Sequence, residues 1–150
     1  MSELGANRNA FLDMIAHSEG TADLGENGYN VIVGGGLFHD YADHPRKLVT
    51  INATLKSTAA GRYQLLARYF DYYKKLLNLP DFSPDSQDKI ALQQIRECRA
   101  LADIDAGQIE QAIYKCKGIW ASLPGAGYGQ HEQKIKFLLA TYETAGGTIA

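Results

Sequence analysis

The sequence lacks any long run of apolar residues. Its longest purely aliphatic stretches are as short as Val31-Ile32-Val33, far below the roughly 20 apolar residues that a membrane-spanning helix requires. The first residues include Glu3, Arg8 and Asp13, with no basic segment leading into an apolar core, so they do not resemble a cleaved signal peptide. We therefore expect synthesis in the cytoplasm and no stable membrane insertion.

Cysteine is also scarce. Cys98 and Cys116 are the only two, too few and too far apart for a metal site or a disulfide scaffold. Each lies on an apolar helical stripe, which predicts two buried free thiols. The four histidines, at positions 17, 39, 44 and 131, have no spacing typical of a metal site. We therefore assign neither a metal nor a cofactor.

Charge of one sign is scarce in each of two parts of the chain. Residues 1–43 carry seven acids against Arg8, whereas residues 44–75 carry seven bases against Asp71. The basic block could attract an anionic polymer such as nucleic acid or a cell-wall glycan. No nucleic-acid-binding motif accompanies it, so we favour a solvated face and expect no nucleic-acid partner.

The composition and the periodicity predict one α+β domain over residues 1–150. With 45% hydrophobic residues, the chain can bury one core with two lobes around a cleft. Helical patterns cover residues 8–19 and most of the chain after Gly61, including a helix that starts at Ser83-Pro84. Strand-like segments occur at Tyr29–Val33 and Lys47–Ile51. We expect a mostly helical fold whose small antiparallel sheet forms one wall of the cleft, with the β-containing lobe at about residues 20–60.

Glu19 stands where a carboxylate is costly. At helical spacing it continues the apolar stripe of Phe11, Leu12 and Ile15, and Gly20 ends the helix. A carboxylic acid in apolar surroundings has a raised pKa, and an acid that keeps its proton near neutral pH can donate it. This is the profile of a general acid. The alternative is a frayed last turn with a solvated Glu.

Three separated segments together suit a site that cleaves sugars. They are His17–Thr21, which contains the acid, Ser57–Gln64, a small-residue loop ending in Tyr-Gln, and Trp120–Gln130, a glycine-rich aromatic loop. A sugar-cleaving cleft needs an acid for the glycosidic oxygen, amides for hydroxyl and N-acetyl groups, and aromatic faces for sugar rings. Trp120 itself continues a helical stripe and is predicted to be core.

These segments, together with Phe38–Thr50, resemble the bacteriophage lambda endolysin family of phage and prophage enzymes. The resemblance covers nearly the whole chain, from Phe11 to Gly147, with a shortened polar loop between Glu19 and Tyr29. It implies a lysozyme-like fold and lytic transglycosylase activity. Such an enzyme cleaves the β-1,4 bond between N-acetylmuramic acid and N-acetylglucosamine in peptidoglycan and leaves a 1,6-anhydro end.

The resemblance also implies roles for particular residues. Glu19 matches the family's catalytic acid. The substrate-binding residues that it implies are Ser57, Tyr63, Gln64, Tyr128 and Gln130, with Tyr29 and Gly34–Gly36 on the opposite rim. Tyr63 as ordinary core is an equal alternative. Tyr128, flanked by glycines, is favoured as a residue that stacks on sugar.

A hydrolytic muramidase is the enzymatic alternative, and it would need a second carboxylate near Glu19. The candidates are Asp23, Glu26, Asp40 and Asp43. Asp23 and Glu26 lie in a polar loop whose length varies within the family that the chain resembles. Asp40 and Asp43 are expected to form hydrogen bonds with the backbone. One essential carboxylate is therefore preferred. A non-catalytic glycan-binding or tail-associated protein is the third interpretation.

The family resemblance extends to partners and location. It implies a monomer whose partner is the peptidoglycan glycan strand. The protein would stay in the host cytoplasm until a holin releases it, and it would then act on the cell wall in the periplasm. This release is an expectation from the family and from the absent signal, because the sequence carries no targeting motif.

Overall fold

The computed structural model describes residues 5–125 and 132–150. Within them the chain forms six α-helices and one two-stranded antiparallel sheet. The helices are α1 (Ala6–Glu19), α2 (Ala67–Leu76), α3 (Pro84–Glu97), α4 (Leu101–Asp105), α5 (Ile109–Cys116) and α6 (Ile135–Thr144); the strands are β1 (Val49–Asn52) and β2 (Leu55–Ser57). This confirms the predicted α+β class. None of the helices in these residues combines the length and apolarity that crossing a membrane requires.

The chain divides into two compact units. One runs to Ser18 and resumes at Ala91, and the other comprises Glu19–Ile90. Helix α3 contributes residues to both. Its start is as predicted, because the Ser83 hydroxyl accepts the Ser86 amide at 3.4 Å and Pro84 occupies the first helical position.

The first unit is helical and built around side chains that are almost completely buried. Segments near both chain ends are tied to the end of α4 and the loop after it: Asn7 donates to the Ile104 carbonyl at 2.9 Å, and the Ala150 amide donates to the Gly107 carbonyl at 3.0 Å. Cys116 is fully buried, as predicted, whereas Cys98 is only half-buried. The core includes Phe11, Ile15, Ile95, Ile104, Ile109, Ile113, Leu123, Leu138 and Tyr142.

The second unit contains the sheet and an aromatic core. Phe70 and Phe82 pack edge to face, with ring centroids 5.0 Å apart, and the buried His44 ring lies 4.9 Å from Phe82. The His44 Nε2 bonds to the Leu65 carbonyl at 2.8 Å. The cluster consists of Ile32, Phe38, Ala60, Leu65, Phe70, Tyr73, Leu79, Phe82 and Ile90.

The sheet is a short hairpin, and it differs from the expected pair of strands. β1 pairs with β2, with Val49 opposite Ser57 and an irregularity between Thr50 and Asn52. The predicted strand Tyr29–Val33 is wrong. Asn27 and Gly28 take positive φ angles of 54° and 87°, so the following amides close turns and leave only isolated bridges such as Val31 to Leu37.

Helix α2 begins later than predicted. Gly61 and Gln64 have φ angles of 84° and 54°, which are incompatible with a right-handed helix, so residues 61–64 form turns and Leu65 bridges Ala60 before α2 starts at Ala67. The Thr58 hydroxyl accepts the Ala67 amide at 3.0 Å at this start. The spacing of Leu66, Tyr69, Phe70 and Tyr73 predicts one buried helical stripe, but Tyr69 is 44% exposed.

Candidate active site

Glu19 is the last residue of α1 and is half-buried. The apolar stripe that it continues is buried: Phe11, Leu12 and Ile15 are at most 2% exposed. Gly20 follows with a φ angle of 79°, the left-handed conformation that ends a helix. The helix end is therefore a defined stop, as the sequence predicted, and it fixes the backbone position of the acid.

The residues on either side of Glu19 are each held by a hydrogen bond. The Ser18 and Ser122 hydroxyls lie 2.7 Å apart, and Gln133 donates to the Ser18 carbonyl at 3.5 Å. The Thr21 hydroxyl donates to the Arg62 carbonyl at 2.6 Å. The first and second predicted segments therefore meet at Thr21 and Arg62, and the first and third meet at Ser18 and Ser122.

Glycine at position 28 allows the loop after Glu19 to fold closely on itself. A Cβ at Gly28 would lie 2.7 Å from the Thr21 carbonyl oxygen and 2.9 Å from the Thr21 side chain, and the φ angle there is 87°. A residue with a side chain would therefore clash and be strained. This contact brings the residue before Tyr29 against Thr21, whose hydroxyl binds the Arg62 carbonyl.

Arg62 organises the two tyrosines that the sequence assigned to substrate. Its Nε donates to the Asn27 carbonyl at 2.8 Å and its Nη1 to the Tyr63 hydroxyl at 3.2 Å. The guanidinium lies 5.2 Å from the Tyr29 ring centroid and 5.7 Å from that of Tyr63, within the range of a cation–π interaction. Tyr29 and Tyr63 themselves pack edge to face, with ring centroids 6.4 Å apart.

A single carboxylate receives both tyrosine hydroxyls. Asp88 Oδ1 accepts Tyr63 at 2.6 Å and Tyr29 at 2.9 Å. Burial raises the pKa of Asp88, and the two hydroxyl donors oppose this rise. Burial also raises the pKa of Tyr29 to about 12 and that of Tyr63 well above its ordinary value. The tyrosines are therefore neutral donors at neutral pH.

The two tyrosines differ in access. Tyr29 is half-buried, so part of its ring faces outward, whereas Tyr63 is only 5% exposed. Tyr63 therefore fits the alternative of a core residue, with its hydroxyl engaged by Asp88. Of the pair, only Tyr29 offers a substantial aromatic surface to a ligand.

Gln64 and Ser57 frame the loop between the hairpin and α2. Gln64 is in a turn, not at a helix start as expected, and its amide nitrogen donates to the Gly61 carbonyl at 2.8 Å. Ser57 ends β2, and its hydroxyl accepts the Ala59 amide at 3.0 Å. Both side chains are half-buried, so both are accessible to a ligand while held by the backbone.

Three of the four candidate second carboxylates are engaged by local partners. The Tyr41 hydroxyl donates to Glu26 at 2.5 Å, and the Ala42 amide donates to Asp40 at 2.8 Å, as expected for Asp40. Asp43 accepts Arg46 Nε at 2.8 Å. Asp23 is an exposed loop residue. These roles are those of loop and surface residues.

The remaining predicted residues have different outcomes. Tyr128 and Gln130 lie outside the described residues. Trp120 is 3% exposed, which confirms it as core. In the ranges 5–125 and 132–150, no group of three or more His, Cys, Asp or Glu side chains could hold a metal ion.

Arg62, Gln87 and Asp88 also belong to this site, although they were not predicted from the sequence. Gln87 is 3% exposed; its Oε1 accepts the Arg62 amide at 2.9 Å and its Nε2 donates to the Tyr29 carbonyl at 3.0 Å. One signal was available: Gln87 falls on the apolar stripe of α3 with Ile90 and Ala91, and a polar residue on a buried stripe needs partners.

The comparisons with solved structures define the class of protein. The structure of bacteriophage lambda lysozyme complexed with a chitohexasaccharide matches with a TM-score of 0.96 and 60% identity, covering all of both chains. A second structure of lysozyme from bacteriophage lambda matches with a TM-score of 0.91 and 60% identity, also over all of both chains. The fold is therefore that of a phage lysozyme, as the resemblance implied.

The sequence comparisons define the family. The endolysin of Escherichia phage lambda is 62% identical over 99% of this chain and 97% of its own length. The endolysin of Escherichia phage P2 is 54% identical over 94% of this chain and 93% of its own. A family model described as Endolysin matches residues 9–149. The chain belongs to the endolysin family, the enzymes with which phages degrade bacterial peptidoglycan.

Proposed function

We propose that this endolysin is a lytic transglycosylase with Glu19 as its single catalytic carboxylate. The observation that carries the proposal is the position of Glu19. It is half-buried at a fixed helix end, where it continues the buried apolar stripe of Phe11, Leu12 and Ile15. Burial of this kind favours a protonated acid. The engagement of Glu26, Asp40 and Asp43 by other partners agrees with one essential carboxylate.

The proposed reaction uses Glu19 twice. The Glu19 carboxylic acid first donates its proton to the glycosidic oxygen, and the bond from that oxygen to C1 of the muramoyl residue breaks. The N-acetyl group of the same sugar stabilises the positive charge at C1. The C6 hydroxyl then attacks C1 and gives its proton to the Glu19 carboxylate. The product is a 1,6-anhydro end, no water is consumed, and the acid is regenerated.

The proposed substrate contacts include Tyr29, in the loop that follows Glu19, and residues of the Ser57–Gln64 segment, which is bound to that loop through Thr21 and Arg62. Tyr29 would offer its outward ring face to a sugar, with Tyr63 supporting it from the core through Asp88. Ser57 and Gln64 would bind hydroxyl or N-acetyl groups, and Tyr128 and Gln130 remain predicted contacts of the glycine-rich loop. The lambda lysozyme structure holds a chitohexasaccharide, which agrees with an oligosaccharide ligand for this chain.

Product analysis tests the mechanism. Purified protein is incubated with sacculi, and the released muropeptides are weighed by mass spectrometry. We expect products with anhydro-muramoyl ends, 18 mass units lighter than the hydrolysed equivalents because one water is missing. Reducing ends in their place would establish a hydrolytic muramidase and overturn the proposal.

Substitution of the acid tests the role of Glu19. Glu19→Gln should abolish lysis, with a loss of at least about 10³-fold, while the variant keeps its fold and its binding to sacculi. Glu26→Gln is a matched control that should retain activity. Unchanged lysis by Glu19→Gln would remove this residue from the mechanism. If the protein is instead a non-catalytic glycan-binding protein, neither the parent nor the variant will release any product.

We also propose that the enzyme is a monomer that stays in the host cytoplasm until a holin releases it to the periplasm. Sedimentation of the purified chain should give a single species of about 16.5 kDa. Expression without a holin should leave cells intact, and co-expression of a holin should lyse them. Lysis without a holin would contradict this route of release.

A further inference from the structure

The second unit has a surface pocket beside Ser57. Its volume is about 340 Å³, and it lies where the end of the hairpin meets the start of α2. Lys56 and Arg68 line it from these two elements, and Leu48 contributes an apolar side chain that is 59% exposed. The pocket is therefore an open site with two cations and one aliphatic surface.

The two cations have no acidic partner in the part of the chain that the structure describes. No carboxylate lines the pocket, and neither Lys56 nor Arg68 forms an ion pair there. The Arg68 guanidinium instead lies 4.9 Å from the centroid of the Tyr69 ring. Its charge therefore remains available to an anionic ligand.

The nearest acid in the sequence is already neutralised. Asp71 is the only acid of residues 44–75, and Arg46 binds it with contacts of 2.5 and 3.1 Å. The excess of positive charge in this block is therefore not cancelled internally. Lys56 and Arg68 are the members of the block that line this pocket.

We infer that this pocket binds the acidic peptide that peptidoglycan carries on its muramoyl residues. Carboxylates of the peptide would pair with Lys56 and Arg68, and alanine methyl groups would pack against Leu48. The inference rests on the proposed function, because it takes Ser57 as a glycan contact. Ser57 also lines the pocket, so a muramoyl residue bound beside it would bring its attached peptide to the cations.

The shape and chemistry of the pocket favour a peptide over a nucleic acid. A 340 Å³ concavity with an exposed leucine accommodates a few amino-acid side chains. A nucleic-acid surface would instead present an extended row of cations along a phosphate backbone. A mixed acidic and aliphatic ligand matches both the charge and the apolar wall.

The test compares two substrates and two double variants. Soluble uncrosslinked glycan strands are used with their peptides intact or after an amidase has removed them. Lys56→Ala with Arg68→Ala removes the two cations of the pocket. Lys75→Ala with Lys136→Ala is the matched control, because it removes the same charge from exposed residues outside the pocket. Thermal midpoints verify that both variants fold like the parent chain.

On peptide-bearing strands, the pocket variant should raise KM about tenfold with kcat unchanged, since two exposed ion pairs are lost. On stripped strands the KM of the pocket variant should equal that of the parent. The KM of the control variant should equal that of the parent on both substrates. The KM of the parent for peptide-bearing strands should rise with added salt. Strands whose peptide carboxylates are amidated should behave as stripped strands.

An equal rise of KM on both substrates would overturn the inference, as would no rise on either. If duplex DNA inhibits the parent but not the pocket variant, and KM does not depend on the peptide, the pocket is a general polyanion surface instead. Failure of the proposed function would look different. The parent would then release no anhydro ends from either substrate, whatever the effect of the peptide on KM.

Discussion

The Tyr63 hydroxyl donates a 2.6 Å hydrogen bond to Asp88 Oδ1. The carboxylate is drawn from helix α3 and the tyrosine from the turn before α2. Charged hydrogen bonds of this length in a largely buried setting are stronger than neutral ones. The bond holds Tyr63 where its ring can support Tyr29, which we propose as a sugar contact.

Tyr63→Phe should destabilise the protein in a pH-dependent manner. It leaves a half-buried carboxylate with one donor fewer, so we expect a loss of roughly 1.5–3 kcal/mol at pH 7. The pKa of Asp88 is already raised by burial, and the variant raises it further. A raised folded pKa gives stability that is present below the unfolded pKa and is lost as pH rises. The loss should therefore shrink as pH falls through the raised pKa of Asp88 and be smallest below about pH 4, as urea unfolding at several pH values can measure.

Two variants make this measurement specific. Tyr72→Phe removes a hydroxyl from a 57% exposed tyrosine and should change stability by less than about 0.5 kcal/mol. In an Asp88→Asn background, the effect of Tyr63→Phe should lose its pH dependence, because the titrating group is gone. Equal losses at pH 3 and pH 7 in the parent background would show that Asp88 is not the group involved.

Gln64 should prefer glycine over alanine as its replacement. Its φ angle of 54° is in the left-handed region, which costs a residue with a side chain about 1 kcal/mol. Both Gln64→Gly and Gln64→Ala remove the hydrogen bond to the Gly61 carbonyl, but only glycine relieves the strain. We expect the Gly variant to be more stable than the Ala variant by about 1 kcal/mol in urea unfolding. The opposite order would show that the turn is unstrained.

The helices were largely predictable from the sequence because their determinants are local. The stripe of Phe11, Leu12 and Ile15 with Gly20 behind it predicts α1, and Ser83-Pro84 predicts the start of α3. The β-rich segment was less predictable. The branched residues at 29–33 indicated a strand, but positive φ angles at Asn27 and Gly28 divert the chain into turns. The Asn27-Gly28 pair is itself a turn signal, and here it prevails over the strand preference of the branched residues that follow.

The candidate site was predictable only where a residue type conflicts with its local pattern. Glu19 stood out because a carboxylate continues an apolar stripe. Asp88 did not, because its role depends on two tyrosines that are 25 and 59 residues away. Arg62 likewise gains its role from Asn27 and the tyrosine rings. Such long-range partners are fixed by the fold and have no signature in a single sequence.

Arg46 binds two carboxylates, and this should make part of the free energy of unfolding depend on pH in the acidic range. Its guanidinium binds Asp43 at 2.8 Å and Asp71 at 2.5 Å, and these bonds lower the pKa of both carboxyl groups. A lowered folded pKa gives stability that is present above the unfolded pKa, about 3.9, and is lost as pH falls through the folded pKa. The Arg46 and Asp71 side chains are 41% and 55% exposed, so solvent screening limits the network to about 0.5–1 kcal/mol.

Arg46→Met therefore should cost about 0.5–1 kcal/mol at pH 7, and this cost should shrink as pH falls below about 3.9, because the parent loses the same interaction on acidification. Salt at 1 M should reduce the difference at pH 7. Lys47→Met is the matched control, since this exposed lysine has no acidic partner among the described residues; its effect should be small at every pH. A loss that persists at pH 2.5 would instead assign the role of Arg46 to its packing over the Phe70 ring, 5.9 Å away.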